Sequence, residues 1–375
     1  MYLYARLFGI FTYWLLVIFI GIGMTRLEKR EISKVLLICN AFLFIMAYFY
    51  EVTYTDDLYR LLPIMHQISS YSVPELINTM KLQNYPVLYA FYYIVGKFGR
   101  DGLLPAVTSL ITYTFSFKVL SQSAKKNSAD MTSIAVAFYI FMARGFFVIG
   151  ITNVRSIIVV SLFAYMVYSE LIEEKSVKWH IPLYIIVALF HYMGTLLVFV
   201  RLFFLALECL QGKKTILGLV MIISIVFLIG YNSVYTSNFL SHMNGYIDSA
   251  GTGEGYDYIF ERIIGILQLI ISIYILYQAN KLVDQNIEES PYHRYFSFSK
   301  MIVSIDVILF FVEYTAFLRI NWLISILTMP LFIFLLSNTD EEEKEINKSN
   351  VLIIGTVMFL LESSRGYLCS LKYFL

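Results

Sequence analysis

Twelve apolar runs divide this chain, near 5–24, 34–50, 103–120, 131–143, 156–171, 180–190, 193–211, 215–231, 259–279, 301–317, 320–337 and 350–362, and their continuity limits the fold more than any other feature. Backbone N–H and C=O groups in a lipid core must be satisfied within their own segment or within a closed barrel. Barrel strands alternate apolar and polar residues, so continuous runs select helices. Only 15% of the residues are charged while 59% are hydrophobic, against about 25% charged in an ordinary soluble protein, which is too few to cover a water-facing surface. The expectation is an all-α, polytopic transmembrane helical bundle forming a single integral membrane domain over 1–375, with about 11–13 crossings at about 20 residues each. Runs shorter than that are extended by their flanks, broken or re-entrant. The aromatic piece 86–98 (PVLYAFYYIVGKF) reads as a half-helix or an interfacial helix. The N-terminal run lacks a small-residue cleavage site after it and reads as a first spanning helix rather than a removed signal.

Several functions are disfavoured at once. A net charge of +1 gives no basic surface for nucleic acid. Cys39, Cys209 and Cys369 lie in or beside apolar runs without metal-type spacing, so neither a disulfide framework nor a metal site is expected. No GxGxxG, Walker, HExxH or GxSxG pattern stands in a suitable context, which leaves nucleotide and hydrolase chemistry unsupported.

Lysines orient the bundle. They gather in the connections holding Lys29 and Lys34, Lys125 and Lys126, Lys175 and Lys178, Lys213 and Lys214, Lys281 and Lys300, and Lys344 and Lys348, and the positive-inside rule assigns those connections to the cytoplasm. The connections at 51–102, 144–155, 191–192, 232–258 and 318–320 then face outward. The two long outer loops are 51–102 and 232–258, and 248–256 (DSAGTGEGY) is a glycine-rich, mobile part of the second.

On the outer side the basic residues are mostly arginine: Arg60, Arg144, Arg155, Arg262 and Arg319, with Arg201 inside a helix. A guanidinium offers a planar fork of donors suited to phosphate oxygens, so arginines at a membrane boundary suit a phosphate or pyrophosphate head group. The competing reading is that each snorkels or answers a nearby acid. Arg155 and Arg319 abut apolar runs where lipid exposure would be costly, which favours function there. The segment TDDLYR offers Asp56, Asp57, Tyr59 and Arg60 as a general base, sugar contacts and an ion-pair clamp; adjacent aspartates also serve as helix caps or metal ligands. His191, in ALFHYMGTL, is either a base or substrate contact or a satisfied structural histidine. Asp306 and Glu313, seven residues apart in one run, share a helical face and can answer embedded arginines.

In order along the chain come an early DDLYR, then NVRSIIVVSLFAYMVYSELIEEK, then IIVALFHYMGTLLVF, and late FLRINWLISI. This succession resembles the EpsG-type branch of the Wzy polysaccharide polymerases, where an Arg opens a helix, a short Lys/Glu inner loop follows, a helix ends in His plus small residues, and a later Arg opens another helix. Two departures stand out: Ser156 follows Arg155 where the family often has Gln, and Tyr192 follows the histidine.

The resemblance implies a GT-C-like membrane glycosyltransferase in the bacterial cytoplasmic membrane, with its site facing outward. It would transfer a growing chain from undecaprenyl pyrophosphate onto the next lipid-linked oligosaccharide, with no metal and no other cofactor, because the pyrophosphate is itself the leaving group. A chain-length regulator and a flippase are the protein partners such a system implies. On that reading Arg155 and Arg319 hold pyrophosphate, with Arg144, Arg60, Arg262, Tyr59 and Tyr192 as further pyrophosphate or sugar contacts. Asp56, Asp57 and His191 are the candidates for base or acceptor contact. A lipid-linked oligosaccharide flippase would need polar groups reaching both faces, a membrane O-acyltransferase would take its acyl donor from the cytoplasm, and an O-antigen ligase would differ only in acceptor.

Overall fold

The computed structural model describes residues 2–52, 56–144, 147–211, 256–285, 291–312 and 314–364. Most of the expected 232–258 loop and Glu313 lie outside them. Every extended regular element among the described residues is helical: α1 (Tyr2–Thr25), α2 (Ile32–Tyr48), α3 (Asp57–Ser69), α4 (Val73–Leu82), α5 (Pro86–Gly96), α6 (Leu103–Lys126), α7 (Met131–Arg144), α8 (Phe147–Thr152), α9 (Val154–Leu171), α10 (Ile181–Phe190), α11 (Tyr192–Gln211), α12 (Tyr256–Gln285), α13 (Pro291–Val312), α14 (Tyr314–Asn338) and α15 (Glu341–Ser364). Seven of these are long and apolar enough to cross a membrane, and four shorter apolar helices accompany them among the described residues. The chain is a polytopic helical membrane protein, as expected; the expected run 215–231 lies outside the described residues.

Two helices make the centre. The apolar windows of α9 and α14 are 89% and 94% buried, because α14 packs on α6, α7, α9, α12 and α13 while α9 packs on α6, α11 and α14. A helix that is apolar on every face is stable only inside such a ring. The outer helices leave large apolar side chains uncovered, among them Phe19, Leu37, Phe311 and Ile353, as a lipid-facing surface requires.

Described lysine-bearing connections meet at one end of the bundle, while Lys213 and Lys214 lie outside the described residues. Lys29 Nζ donates to the Ser128 carbonyl at 2.7 Å, Lys126 Nζ to the Ile172 carbonyl, and Lys344 Nζ lies 2.7 Å from Asp130 Oδ2. The starts of α9 and α14, which carry Arg155 and Arg319, lie at the other end.

Three expectations change. The 51–102 connection carries α3 and α4 ahead of α5, the short helix expected near 86–98. Ser72 starts α4 through a capping box, its N–H donating to Glu75 Oε2 at 2.7 Å, and Pro86 at the first position starts α5. The stretch 144–155 likewise holds α8. The junction placed at 318–320 is the second turn of α14 instead. Hydrophobicity dips at Arg319, yet the polar side chain is taken up by a partner, so the helix runs on.

Candidate functional site

Asp56 and Asp57 differ in what they do. Asp56 precedes α3 in extended conformation, and its Oδ2 accepts from the Tyr50 hydroxyl at 2.9 Å. Asp57, in the first turn of α3, accepts Arg155 Nη2 through Oδ1 at 3.1 Å and Oδ2 at 2.8 Å, and Oδ1 also takes Arg60 Nη2 at 3.0 Å. A carboxylate bonded to two guanidinium groups has its lone pairs committed and its charge answered, so it anchors rather than abstracts a proton. The Nη1 and Nε donors of Arg155 make no protein hydrogen bond among the described residues, and the side chain keeps 34% of its exposure. Tyr92 of α5 is buried within the field of both Arg155 and Asp57.

The second post is a hairpin tip. At ten residues, α10 rises about 15 Å, half of a hydrocarbon core about 30 Å thick. The chain reverses at His191, whose backbone is extended and whose side chain is buried, and α11 returns. Non-helical backbone at such depth persists only inside protein or beside a polar cavity. The legs cross closely: a Cβ on Gly194 would stand 1.9 Å from the Val187 carbonyl oxygen, so only glycine fits, and Thr195 Oγ1 donates to the Ala188 carbonyl at 2.9 Å. At the tip the rings of His191 and Tyr192 lie 4.1 Å apart, and Tyr85, just before α5, stands 6.0 Å from His191. Arg319 Nη1 donates to the Tyr192 hydroxyl and its guanidinium lies 5.9 Å from the Tyr192 ring.

Trp322 sets the register between the two posts. Its indole N–H donates to Ser161 Oγ at 3.3 Å, and its ring lies where a Cβ on Gly150 would come within 2.7 Å. Arg319 is three residues before Trp322 and Arg155 six before Ser161, so along their axes the two arginines differ in height by about 4.5 Å, less than one helical turn. α5 borders both posts, with Tyr92 in the field of Arg155, Tyr85 beside His191, and Phe91 5.6 Å from Phe190.

The other candidates stand apart. Arg144 is buried deep between α7, α12 and α14, donating to Thr328 Oγ1 at 2.9 Å and Ser272 Oγ at 2.6 Å in the field of Asp306. That environment makes it an internal support, as the reading of embedded acids anticipated; Asp306 in turn accepts from Asn321 at 3.4 Å. Arg262 donates to the Phe310 carbonyl in the last turn of α13 and lies 5.0 Å from its ring, a C-terminal cap. Arg60 reaches the site only through Asp57, its side chain 76% exposed, and Tyr59 is exposed on the same helix. The arginines therefore do not form one cluster: Arg155 and Arg319 share a level, with Arg60 at the rim.

Pattern reading passed over Trp322, Ser161 and Gly150, whose relation exists only across helices. It also passed over Glu170, the partner of Arg201, for which a charge inside an apolar run was the available signal. Among the described residues no three His, Cys, Asp or Glu side chains converge as a metal site would require.

No curated protein and no solved structure matches the chain. A family model described as the EpsG family matches residues 57–366, a span that takes in Asp57, Arg155, His191 and Arg319. With that match over most of its length, the chain belongs to the EpsG family.

Proposed function

We propose that this protein is a GT-C-like glycosyltransferase that polymerises undecaprenyl-pyrophosphate-linked oligosaccharide repeat units into a cell-surface polysaccharide at the outer face of a bacterial cytoplasmic membrane. Family membership points to a polysaccharide polymerase role, and the lysine connections at the opposite end support an outward-facing arginine end through the positive-inside rule. The observation that carries the reading is the placement of Arg155 and Arg319 within about one helical turn of each other in height, in the first two turns of adjacent central helices whose N-termini also favour an anion.

The acceptor hydroxyl oxygen attacks the anomeric carbon of the donor, forming the new glycosidic bond. The bond from that carbon to the pyrophosphate oxygen breaks, its electron pair passes to the leaving phosphate, and the hydroxyl proton passes to a base. Arg155 and Arg319 meet the charge as it develops, which lowers the barrier because the interaction strengthens toward the transition state. Asp57 and Tyr192 hold the two guanidinium groups in place beforehand. With Asp57 committed to arginines and Asp56 to Tyr50, His191 is the residue we assign as base. The half-helix α5 and the apolar outer surface give the isoprenoid tail a lateral approach.

Purified protein incubated with a lipid-linked repeat unit, without nucleotide sugar, is expected to yield a ladder of polymer on a gel. Substrate that crosses a vesicle bilayer unchanged would mean a flippase and end this reading.

A further inference from the structure

The re-entrant hairpin carries a buried charge cluster at its base that the proposed chemistry leaves unused. Glu170, in the last turn of α9, lies 4% exposed among Arg201 of α11 at 2% and His180 at 6%. Arg201 Nε donates to Glu170 Oε2 at 3.1 Å, while His180 Nδ1 stands 3.4 Å from the other oxygen, Oε1. Tyr184 of α10 places its hydroxyl in the field of both Glu170 and Arg201. His180 immediately precedes α10 and Arg201 lies midway along α11, so one carboxylate faces both legs, hydrogen-bonded to Arg201 through Oε2 and within ion-pair distance of His180 at Oε1, where no hydrogen bond forms.

Burying such a group is expensive unless it is paired, and removing one partner leaves an uncompensated charge. Apolar contacts such as the close approach of Gly194 to Val159 also bear on the position of the hairpin along α9, and the buried carboxylate adds a charge that must stay paired. A Cβ on Gly194 of α11 would stand 3.0 Å from Val159 Cγ1 of α9; Val159 lies eleven residues outward from Glu170 and four inward from Arg155, so about 6 Å below Arg155 by helical rise. The height of His191 and Tyr192 is therefore set from below by the clamp. The bidentate pair of Arg294 and Glu208, at 2.7 and 3.0 Å, ties α11 to α13, but half of the Arg294 side chain is exposed, so solvent weakens it.

The geometry points to Glu170 as a positioning residue: through Arg201 and His180 it holds both legs of the α10 and α11 hairpin, and so sets the height at which His191 and Tyr192 meet Arg319. This rests on the polymerase reading for its kinetic consequence, not for the clamp itself.

The test uses full-length protein in nanodiscs, comparing wild type with Glu170→Gln and with the double variant Glu170→Gln, Arg201→Gln, which removes both charges. Backbone amide exchange over 181–199 reports the hairpin; turnover and donor affinity report the site. Glu170→Gln is expected to raise exchange in that segment and to lower kcat about 100-fold, as a misplacement of about 1 Å does, with donor Kd within about threefold because Arg155 is untouched. The double variant is expected to recover protection and part of the turnover, and it carries the test if Glu170→Gln fails to fold. Unchanged exchange in Glu170→Gln overturns the clamp; loosened exchange with wild-type kcat overturns its positioning role. A wild-type protein that makes no polymer, with loosened exchange in Glu170→Gln, sinks the polymerase reading and leaves the clamp standing.

Discussion

Asp57 separates two mechanisms, and Asp57→Asn decides between them. If Asp57 is the anchor for Arg155, its loss acts only through that arginine. If it is the base, its loss is independent of Arg155. The structure supplies the magnitude: charge-assisted bonds at 2.8, 3.1 and 3.0 Å converge on Asp57, each worth about 1.5–3 kcal/mol when shielded. Arg155 is 34% exposed and Arg60 76%, so screening reduces the useful total to about 1–2 kcal/mol. That corresponds to a fall in kcat of about 5–30-fold for Asp57→Asn. Arg155→Ala removes a donor to the departing phosphate and is expected to cost about 100–1,000-fold. The double variant should then be no slower than Arg155→Ala alone, as residues acting as a unit are non-additive. Rates measured on a lipid-linked repeat unit, with protein monodisperse by size exclusion, give the cycle. Multiplying losses would refute the anchor, as would a loss of activity in Asp57→Asn greater than that of Arg155→Ala.

Three further outcomes are expected. Tyr192→Phe, which removes the hydroxyl bonded to Arg319 but keeps the ring, should lower kcat about tenfold, the loss of about one hydrogen bond to a charged group; an unchanged rate means Arg319 is positioned without it. Gly150→Ala drives a Cβ to 2.7 Å from the Trp322 ring, so overpacking should destabilise by about 1–3 kcal/mol, read as a lower melting temperature, and relieved in part by Trp322→Phe. Asp130 caps α7 through Ser133 and pairs with Lys344. Its burial raises its pKa, but hydrogen bonds from Lys344 and Ser133 outweigh this and hold it below the usual carboxylate range, while Asp130 raises Lys344. The depressed acid contributes stability above the ordinary carboxylate pKa that is lost as pH falls through its lowered value. The raised lysine contributes below the ordinary lysine pKa and loses its share at higher pH. Melting curves should therefore be flat across neutral pH, Asp130→Asn costing about 0.5–1 kcal/mol and Asp130→Ala about 1 kcal/mol more through the lost cap; equal losses would mean the cap contributes nothing.

Much of this protein is legible without coordinates. Runs such as 156–171 and 320–337 determine helices because lipid forbids unsatisfied backbone, and lysine placement in the connections separates the two ends, since charge resists burial whatever the packing. The chemical character of Arg155, Arg319 and His191 is equally local, for a charge or an imidazole among apolar neighbours must answer to something. What they answer to is not local. Sequence sets Arg155 and Arg319 apart from the other outer arginines by the apolar runs they abut, but only packing sends Arg144 to Ser272 and Thr328 and Arg262 to a helix end, and brings Arg155 and Arg319 to within about one helical turn of each other in height, through an indole, a serine and a glycine drawn from three helices. The depth of His191 likewise depends on α10 being too short to span and on the carboxylate of Glu170 beneath it. Periodicity and composition act over one helical turn, whereas hydrogen bonds and steric contacts between helices join residues more than a hundred positions apart, and only the tertiary structure chooses among them.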